Sequence, residues 1–437
     1  MSNFKIIFIG IFVAGAVFGL LVFSGIINIG GSTTTTVAGT ATIWGTLDQQ
    51  ALSGFISDFN NQSKDIHIAY VQKDSASFDS DLIEALANGT PPDLVLLPDN
   101  LIWRFQGKLT HIPFASLPAA TFSSTFADSA TIFSATDGTI AVPWVADPLV
   151  LYYNRDLLAS IGYAQPPATW QQFVDSIPLL TKKQADLTLT QSGTAMGTYK
   201  NIAHPKDILA LLFMQSGSPF ITQSNGALAV HFGTTSTKIE NDASLAAMQF
   251  YMGFSNPINS EYSWNAGQPL DRQAFAESNL AYYFGTASEL PQIRAQNPNL
   301  NFGIALPPSG VNGLPSTTGH SYGFAIPKSA PNQLLSYTTT TLLANAANET
   351  AFITKYGGVL SLIPTRRDVL AVKPTTDPYL GFLYNAELVH KSWIDPSPAF
   401  SDTIFSSLIK DISSSALDPS QALSKASAQL SALGAKN

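Results

Sequence analysis

Apolar and polar residues follow two different periods in the first part of the chain. Residues 41–45, 66–71 and 93–98 are short apolar or alternating runs, which predict β-strands. Residues 49–62 and 78–88 repeat their apolar side chains with the helical period. The run 93–98 is apolar throughout after its first residue, which is typical of a parallel strand buried on both faces. The order β-α-β-α-β therefore predicts a doubly wound α/β arrangement.

A second set of elements follows residue 138. Strands are predicted at 139–144 and 148–154, joined by a loop that contains Asp147. Further helices are predicted at 156–161, 169–180, 205–216 and 245–254, further strands at 280–285, 301–307 and 322–327, and a last helix at 419–433. Two α/β lobes with several chain crossings fit this series better than one sheet.

The amino terminus has the pattern of a membrane anchor. Residues 6–29 contain no charged side chain, and about 20 apolar residues suffice to span a bilayer as a helix. We expect residues 1–5 to be cytoplasmic, 6–29 to be a single transmembrane helix, and 30–40 to be a linker to an external domain. A cleaved signal peptide is the alternative.

Composition excludes several classes of function. The 437 residues carry a formal net charge of −8, which gives no electrostatic basis for binding nucleic acid. The chain has no Cys, which excludes disulfide scaffolds, thiolate metal sites and cysteine nucleophiles. Phosphate-loop and dinucleotide motifs are absent, and the six His have no ligand spacing, so we predict neither a cofactor nor a metal.

One catalytic motif occurs. Gly319 to Gly323 matches G-x-S-x-G, which would make Ser321 the nucleophile of a serine hydrolase, with a later Asp such as Asp377 and with His390 as partners. The mechanism requires a strand before the motif and a helix after it, whereas a polar loop precedes this one and a strand follows it. A hydrolase remains an alternative of a different class.

Several segments together resemble family 1 extracellular solute-binding proteins of ABC importers, the group of the maltodextrin-binding proteins. The segment 137–158 (DGTIAVPWVADPLVLYYNRDLL) is the most specific. The others are 42–48, 89–99, 274–285, 319–332, 357–370 and 418–430, and all occur in the family's order.

The resemblance implies two α/β lobes joined by hinge strands, the type II periplasmic-binding-protein-like fold. The first lobe would comprise 41–146 plus 320–350, and the second 147–319 plus 351–437. It also implies a binding protein rather than an enzyme, a carbohydrate ligand in the cleft, and an ABC permease as partner. We expect a monomer held at the extracellular or periplasmic side of the cell membrane.

The chemistry of sugar binding selects the candidate residues. A sugar offers C–H faces to flat aromatic rings and hydroxyls to carboxylates and amides, and solutes bind at the C-terminal ends of parallel strands. The candidates are Trp44, Asp48, Asp99, Asn100, Trp144, Asp147, Trp264, Phe284, His320 and Tyr322. By the resemblance, Asp99 and Asp147 match ligand carboxylates of the family, and Trp44 and Asp48 fall near ligand-facing positions.

Structural roles compete with these assignments. Trp44 and Trp144 would pack in the sheet or hinge, Asp48 and Asp99 would cap helices, and Asp147 would form a turn bond. Trp264 follows no periodic run, which predicts an exposed loop residue. Trp103, in the helix after Asp99, is predicted to be structural, and Trp393 is a weaker candidate.

A membrane-tethered sugar receptor is thus the function that the sequence favours. A receptor for a polyamine, peptide or other small solute is the first alternative, because the three candidate aspartates also suit a cation. A receptor that signals rather than transports is another.

Overall fold

The computed structural model describes residues 37–434, apart from 218–219, 225–226, 233–242, 311–312 and 375–376. The predicted anchor at 6–29 lies outside the described residues. Within them, every helix is too short or too polar to cross a membrane.

The described strands and helices alternate along most of the chain. The strands are β1 (Gly39–Gly45), β2 (Ile66–Gln72), β3 (Leu94–Pro98), β4 (Ile112–Pro113), β5 (Gly138–Thr139), β6 (Ala141–Asn154), β7 (Lys182–Lys183), β8 (Leu189–Thr194), β9 (Ile221–Ser224), β10 (Ala227–Val230), β11 (Leu280–Thr286), β12 (Phe302–Ala305), β13 (Gly319–Ala325) and β14 (Ile363–Pro364). The α-helices are Gln49–Gln62, Phe78–Ala87, Ile102–Phe105, Ala119–Thr125, Arg155–Ser160, Trp170–Leu180, Pro205–Gln215, Ala243–Gly253, Asp271–Ala276, Leu290–Gln296, Gln333–Leu343, Ala346–Leu360, Arg367–Leu370, Pro378–Glu387, Pro398–Ser413 and Pro419–Gly434.

One long strand joins two halves of the main sheet. The strand order is β2-β1-β3-β13-β6-β11-β8-β7, and β12 and β14 also pair with β6. Residues 141–148 of β6 pair with β13, whereas residues 149–154 pair with β11 and β12. We call β2, β1, β3, β13 and residues 141–148 the first half-sheet, and residues 149–154 with β11, β8 and β7 the second half-sheet.

The continuity of β6 corrects the sequence analysis, which placed two strands and a loop here. Asp147 and Pro148 lie inside the strand, where Asp147 pairs with His320 and Pro148 with Gly319. Gly319 is needed at this crossing because a Cβ on it would lie 2.4 Å from the carbonyl oxygen of Asp147, and its φ is +151°.

Within the first half-sheet, β1, β2 and β3 form a parallel β-α-β-α-β unit covered on both faces, as the sequence predicts, whereas β13 and residues 141–148 pair antiparallel. β1 pairs in parallel with β2 and β3, and all five residues of β3 are buried. The helix Gln49–Gln62 buries Leu52, Phe55 and Phe59 on one side. Phe78, Leu82 and Phe105 pack against Val95 and Leu97 on the other. The doubly wound α/β fold is therefore confirmed.

The expected change of lobe at 350/351 falls inside the helix Ala346–Leu360. This helix packs on the helix Gln49–Gln62, since the Tyr356 hydroxyl donates to the Gly54 carbonyl at 3.0 Å and the rings of Phe352 and Phe55 are 5.1 Å apart. β14, which follows, pairs with Val145 and Ala146 of the first half-sheet. Residues 346–364 thus lie with the first half-sheet.

Candidate ligand-binding site

A cavity of about 470 Å³ lies between elements of the two halves. That volume is within the roughly 300–1,000 Å³ of small-molecule sites. One wall carries Ile102, Trp103, Gln106, Thr131, Ile132, Ser134 and Ile140. The other carries Met214, Phe220, Ile221, Thr222, Gln223, Ser392, Trp393 and Ile394.

The cavity combines aromatic surface with neutral polar groups. Its described lining residues include no ionisable side chain, and its polar groups are the amides of two Gln and the hydroxyls of Ser and Thr. The ring of Trp393 packs edge-on against Phe220, with centroids 5.0 Å apart. The buried indole N–H of Trp103 has no hydrogen-bond partner among the described residues. Such a lining suits a neutral solute with apolar faces and hydroxyl groups.

Local structure places both tryptophans at this cavity. β3 ends at Pro98, and the 3₁₀ turn Asp99–Leu101 leads directly into the helix that carries Trp103. Trp103 therefore lies just beyond the C-terminal end of a parallel strand, where α/β proteins place ligands. Trp393 lies in the segment between the helices Pro378–Glu387 and Pro398–Ser413.

A cluster of carboxylates and imidazoles adjoins the cavity. Asp207 and Met214 are seven residues apart on one helix, and therefore share the face that lines the cleft. His320 Nδ1 lies 3.2 Å from Asp99 Oδ1, and His320 Nε2 lies 3.6 Å from Asp207 Oδ2. His204 extends this series of contacts: its Nδ1 lies 3.6 Å from Asp207 Oδ2, and its Nε2 lies 3.3 Å from Glu289 Oε2.

The cluster holds His204, His320, Asp207 and Glu289 in their charged forms. Burial alone would lower the pKa of both imidazoles, but the facing carboxylates outweigh it and raise the pKa of His204 to about 10 and that of His320 well above its ordinary value. Burial would raise the pKa of the carboxyls, but the imidazoles reverse this. The pKa of Glu289 falls to about 2, and that of Asp207 lies below its ordinary value. Within the described residues, no group of His, Asp and Glu could hold a metal ion.

Asp147 ties β6 to the second half of the molecule. Its carboxylate accepts hydrogen bonds from the backbone N–H of Ser288 at 2.8 Å and from the Ser288 hydroxyl at 2.7 Å. Burial raises the pKa of Asp147 above its ordinary value, although these hydrogen bonds oppose the change. Asp147 thus lies at the crossing strand, as expected, in a structural hydrogen-bond network.

Three predicted aromatic contacts lie in the hydrophobic core. Trp144 packs between Phe55, Phe324 and Phe352, with ring centroids 5.8, 5.1 and 4.5 Å away. Trp264 is 0% exposed, which corrects its expected place on an exposed loop. Phe284 is 2% exposed and stacks with Trp170. For these three residues the placement favours core packing over ligand contact.

The first strand supplies neither of its candidates to the cavity. Asp48 is exposed and caps the helix Gln49–Gln62, accepting from the Ala51 N–H at 2.7 Å. Trp44 is half-buried, and the Lys73 ammonium lies 3.8 Å from its ring centroid. The observed contact of Asp48 is therefore the helix cap, which was the structural alternative to ligand binding.

The remaining candidates lie close to the cleft. Asp99 is 2% exposed and also accepts from the backbone N–H of Ser321 at 3.0 Å. The Asn100 side-chain oxygen is buried, with no hydrogen-bond partner among the described residues. Burial raises the pKa of the half-buried Tyr322 above its ordinary value. Asp99, Asn100, His320 and Tyr322 are brought together at the edge between β3 and β13.

The hydrolase arrangement is not formed. Ser321 lies in the middle of β13 rather than on a turn before a helix. Its hydroxyl is 3.4 Å from that of Ser392. Asp377 caps a helix and pairs with Arg294 at 2.8 Å, while His390 pairs with Glu387 at 2.8 Å. The proposed triad partners are thus engaged elsewhere, which corrects this alternative.

Sequence reasoning undervalued Trp103 and Trp393, the two tryptophans at the cavity. Trp103 could have been found from its position one turn beyond the end of β3. Trp393 gave no such signal, because its place depends on how a late segment packs against β9.

Comparison with known proteins agrees with this architecture. A tagatose-bound ABC transporter solute-binding protein from Thermotoga lettingae has a TM-score of 0.69 and 19% identity, covering 91% of this chain and 100% of that one. The sugar-binding protein MalE of Xanthomonas citri has a TM-score of 0.72 and 16% identity, covering 91% and 98%. The GacH receptor of Streptomyces glaucescens, studied unliganded and with acarbose, has a TM-score of 0.70 and 18% identity, covering 91% and 99%.

Sequence comparison gives the same family. A probable ABC transporter-binding protein of Deinococcus radiodurans is 23% identical over 293 residues. The match covers 62% of this chain and 64% of that protein, which is less than two thirds of its length. Residues 44–348 match the family model for the bacterial extracellular solute-binding protein. The resemblance expected from the sequence is therefore confirmed, and this chain belongs to the family of bacterial extracellular solute-binding proteins.

Proposed function

We propose that this chain is the solute receptor of an ABC importer and that it binds a sugar or oligosaccharide in the cavity between two lobes. The observation that carries the proposal is the neutral cavity with Trp103 and Trp393 on opposite walls. Aromatic rings can cover the C–H faces of a sugar while the Gln, Ser and Thr groups bond its hydroxyls. Three structural neighbours bound to tagatose, acarbose and maltotriose support this ligand class.

The charge distribution favours a sugar over a polyamine. A polyamine needs free carboxylates, and none lines the cavity among the described residues. The nearby carboxylates of Asp99, Asp207 and Glu289 already face the imidazoles of His320 and His204. A cationic ligand would therefore have to displace existing charge pairs.

The lobes in this proposal follow the half-sheets, except that residues 147 and 148 of β6 are counted with the second lobe. The first comprises 41–146 with a return segment from 320, and the contacts of the helix Ala346–Leu360 and β14 support extending that segment to about residue 364. The second comprises 147–319 and the rest of the chain. A ligand that touches both lobes stabilises their closed arrangement, because its full set of contacts exists only there.

The family supports delivery of the bound solute to a permease. Tethering by residues 6–29 rests on their apolar pattern, and would keep the domain near its own membrane. In this proposal the protein itself performs no chemistry, since the family and its structural neighbours are binding proteins of importers rather than enzymes.

The experiment is a thermal-shift screen of mono- and oligosaccharides, followed by calorimetry of the best ligand. Leu replaces the aromatic face of each cavity tryptophan while keeping apolar volume, so Trp103→Leu and Trp393→Leu should each weaken binding about tenfold, or about 1.4 kcal/mol. Trp170→Leu is the matched control. Trp170 is a half-buried tryptophan whose ring packs against Phe173 and Phe250, outside this cavity.

Two results would reject the sugar assignment. One is a complete carbohydrate panel without a thermal shift. The other is a polyamine that binds more tightly than any sugar and whose affinity is unchanged by Trp103→Leu. That result would instead support the alternative, a polyamine receptor.

A further inference from the structure

One ion pair links the two halves of the molecule at the edge of the cavity. His320 lies on β13 of the first half-sheet, and Asp207 lies on the helix Pro205–Gln215, on the second wall of the cleft. Their side chains approach to 3.6 Å. Asp207 is 5% exposed, so water screens this pair less than it screens a surface pair.

The pair is the central link of a longer chain of opposite charges. On the first side, His320 also faces Asp99 at 3.2 Å. On the second side, Asp207 also faces His204, and His204 faces Glu289. Glu289 in turn pairs with Arg272 at 2.9 Å. The contacts within each half of the molecule therefore hold the charged groups of that half in place independently of the other half.

The carboxylates that face both imidazoles favour the charged form of each ring. Both ring nitrogens of His320 face carboxylate oxygens, and the same is true of His204. Of these four contacts, only that between His320 Nδ1 and Asp99 is a hydrogen bond; the other three are ion pairs at 3.3–3.6 Å, so their attraction exists only while the imidazoles carry a positive charge. A second observation concerns Asp207, whose Oδ1 is buried without a hydrogen-bond partner among the described residues, so its charge depends on the two imidazoles.

We propose that His320 and Asp207 form a latch that holds the two lobes together and releases them when His320 loses its proton. The latch rests on the lobe movement of the proposed function, but not on the identity of the ligand. Of the links in this series of charges, opening breaks only that between His320 and Asp207, because Asp99 moves with His320 and His204 moves with Asp207.

The sign of the pH dependence follows from this geometry. The closed form offers His320 two carboxylates and the open form offers one, so the pKa of His320 is higher in the closed form. The latch is therefore complete below the pKa of the open form and is lost as pH rises through the pKa of the closed form. For each unit between the two pKa values, the ratio of closed to open molecules falls about tenfold.

Other ionisable groups surround the latch. Asp147 pairs with His320 in the β-ladder, and its negative charge also favours the imidazolium. The remaining charged and titratable neighbours include Asp99, Tyr199, His204, Asp271, Arg272, Glu289, Tyr322 and His390. His390, in the second lobe, also feels the negative charge of Asp99, but its Nδ1 pairs with Glu387 of its own lobe at 2.8 Å. Substitution of His320 or Asp207 therefore separates the latch from its surroundings.

Because the chain has no Cys, two spin labels can report the distance between the lobes without further changes. Ser80→Cys and Gln421→Cys are both exposed helical positions, one on the helix Phe78–Ala87 and the other on the helix Pro419–Gly434. Pulsed electron spin resonance on the labelled full chain, with no sugar added, then gives the fractions of closed and open molecules.

We expect one closed distance at pH 7 for the otherwise unaltered chain, and an open fraction raised about tenfold or more by His320→Gln and by Asp207→Asn. Combining the two substitutions should open the protein no further than either alone, since each removes the same link. The control His67→Gln lies on β2, the outermost strand of the first half-sheet, and should leave the distances unchanged.

Closed-form distances that persist in both single variants would overturn the latch. Should these variants fail to fold, the ring-proton NMR titration of His320 in the unaltered chain decides: a resonance that titrates near pH 6.5 overturns the proposal, and one still protonated at pH 8 supports it. Failure of the sugar screen would leave the latch intact, because no ligand takes part in these measurements.

Discussion

Trp144 shows how one residue can fit a functional pattern and yet serve the core. It lies on β6 near Asp147, where the chemistry of sugar binding made it a candidate, but it is 2% exposed among three phenylalanine rings. Sequence periodicity could place Trp144 on a strand. It could not tell which face of the strand the helices Gln49–Gln62 and Ala346–Leu360 would cover.

Trp144→Ala should lower the free energy of unfolding by about 3–5 kcal/mol, because it removes a buried aromatic ring and leaves a cavity. Urea denaturation measures the change. Trp44→Ala provides the comparison: Trp44 is half-buried beside Lys73, and a smaller loss is expected there. Unchanged stability of Trp144→Ala together with lost sugar binding would instead restore Trp144 as a ligand contact.

At the scale of single elements, amphipathic and capped helices were the most predictable features. The helix Gln49–Gln62 matches its predicted bounds, because its apolar face and its Asp48 cap both lie within one stretch of sequence. β8 gave no such signal, since its residues LTQSGT are largely polar, yet Ser192, Gly193 and Thr194 are buried against other elements. Tertiary packing there outweighs local pattern.

Asp48 permits a test that separates a helix cap from a ligand carboxylate. Asp48→Ala should cost about 1 kcal/mol of unfolding free energy, because the Ala51 N–H loses its acceptor. Asp48→Asn keeps a capping oxygen but removes the charge, so its stability should remain close to that of the unaltered chain. Chemical denaturation of the two variants measures this difference.

Calorimetry with the sugar found in the screen completes the test of Asp48. Equal affinity in both variants would agree with a purely structural role. Loss of binding in Asp48→Asn, with stability retained, would show that the carboxylate contacts the ligand, as the sequence resemblance implies.

For the whole molecule, the class of fold was predictable but the walls of the cavity were not. The alternation of strands and helices predicts doubly wound α/β structure from local patterns alone. The cavity joins residues near 102, 131, 220 and 393, which meet only after β6 has crossed between the two half-sheets. No local period carries that information, and Trp103 and Trp393 were undervalued for this reason.

A ligand that closes two lobes must protect both walls of the cavity at once. Hydrogen exchange should therefore slow at 102–106 and 131–134 on the first wall and at 392–394 on the second when the sugar found in the screen is added. The helix Phe78–Ala87 contributes no residue to the cavity lining and is the internal control, with unchanged exchange. Protection of one wall alone would show that the solute binds a single lobe, which would contradict closure as the binding mechanism. Protection of both walls in the unaltered chain but not in Trp393→Leu would connect closure to that aromatic face.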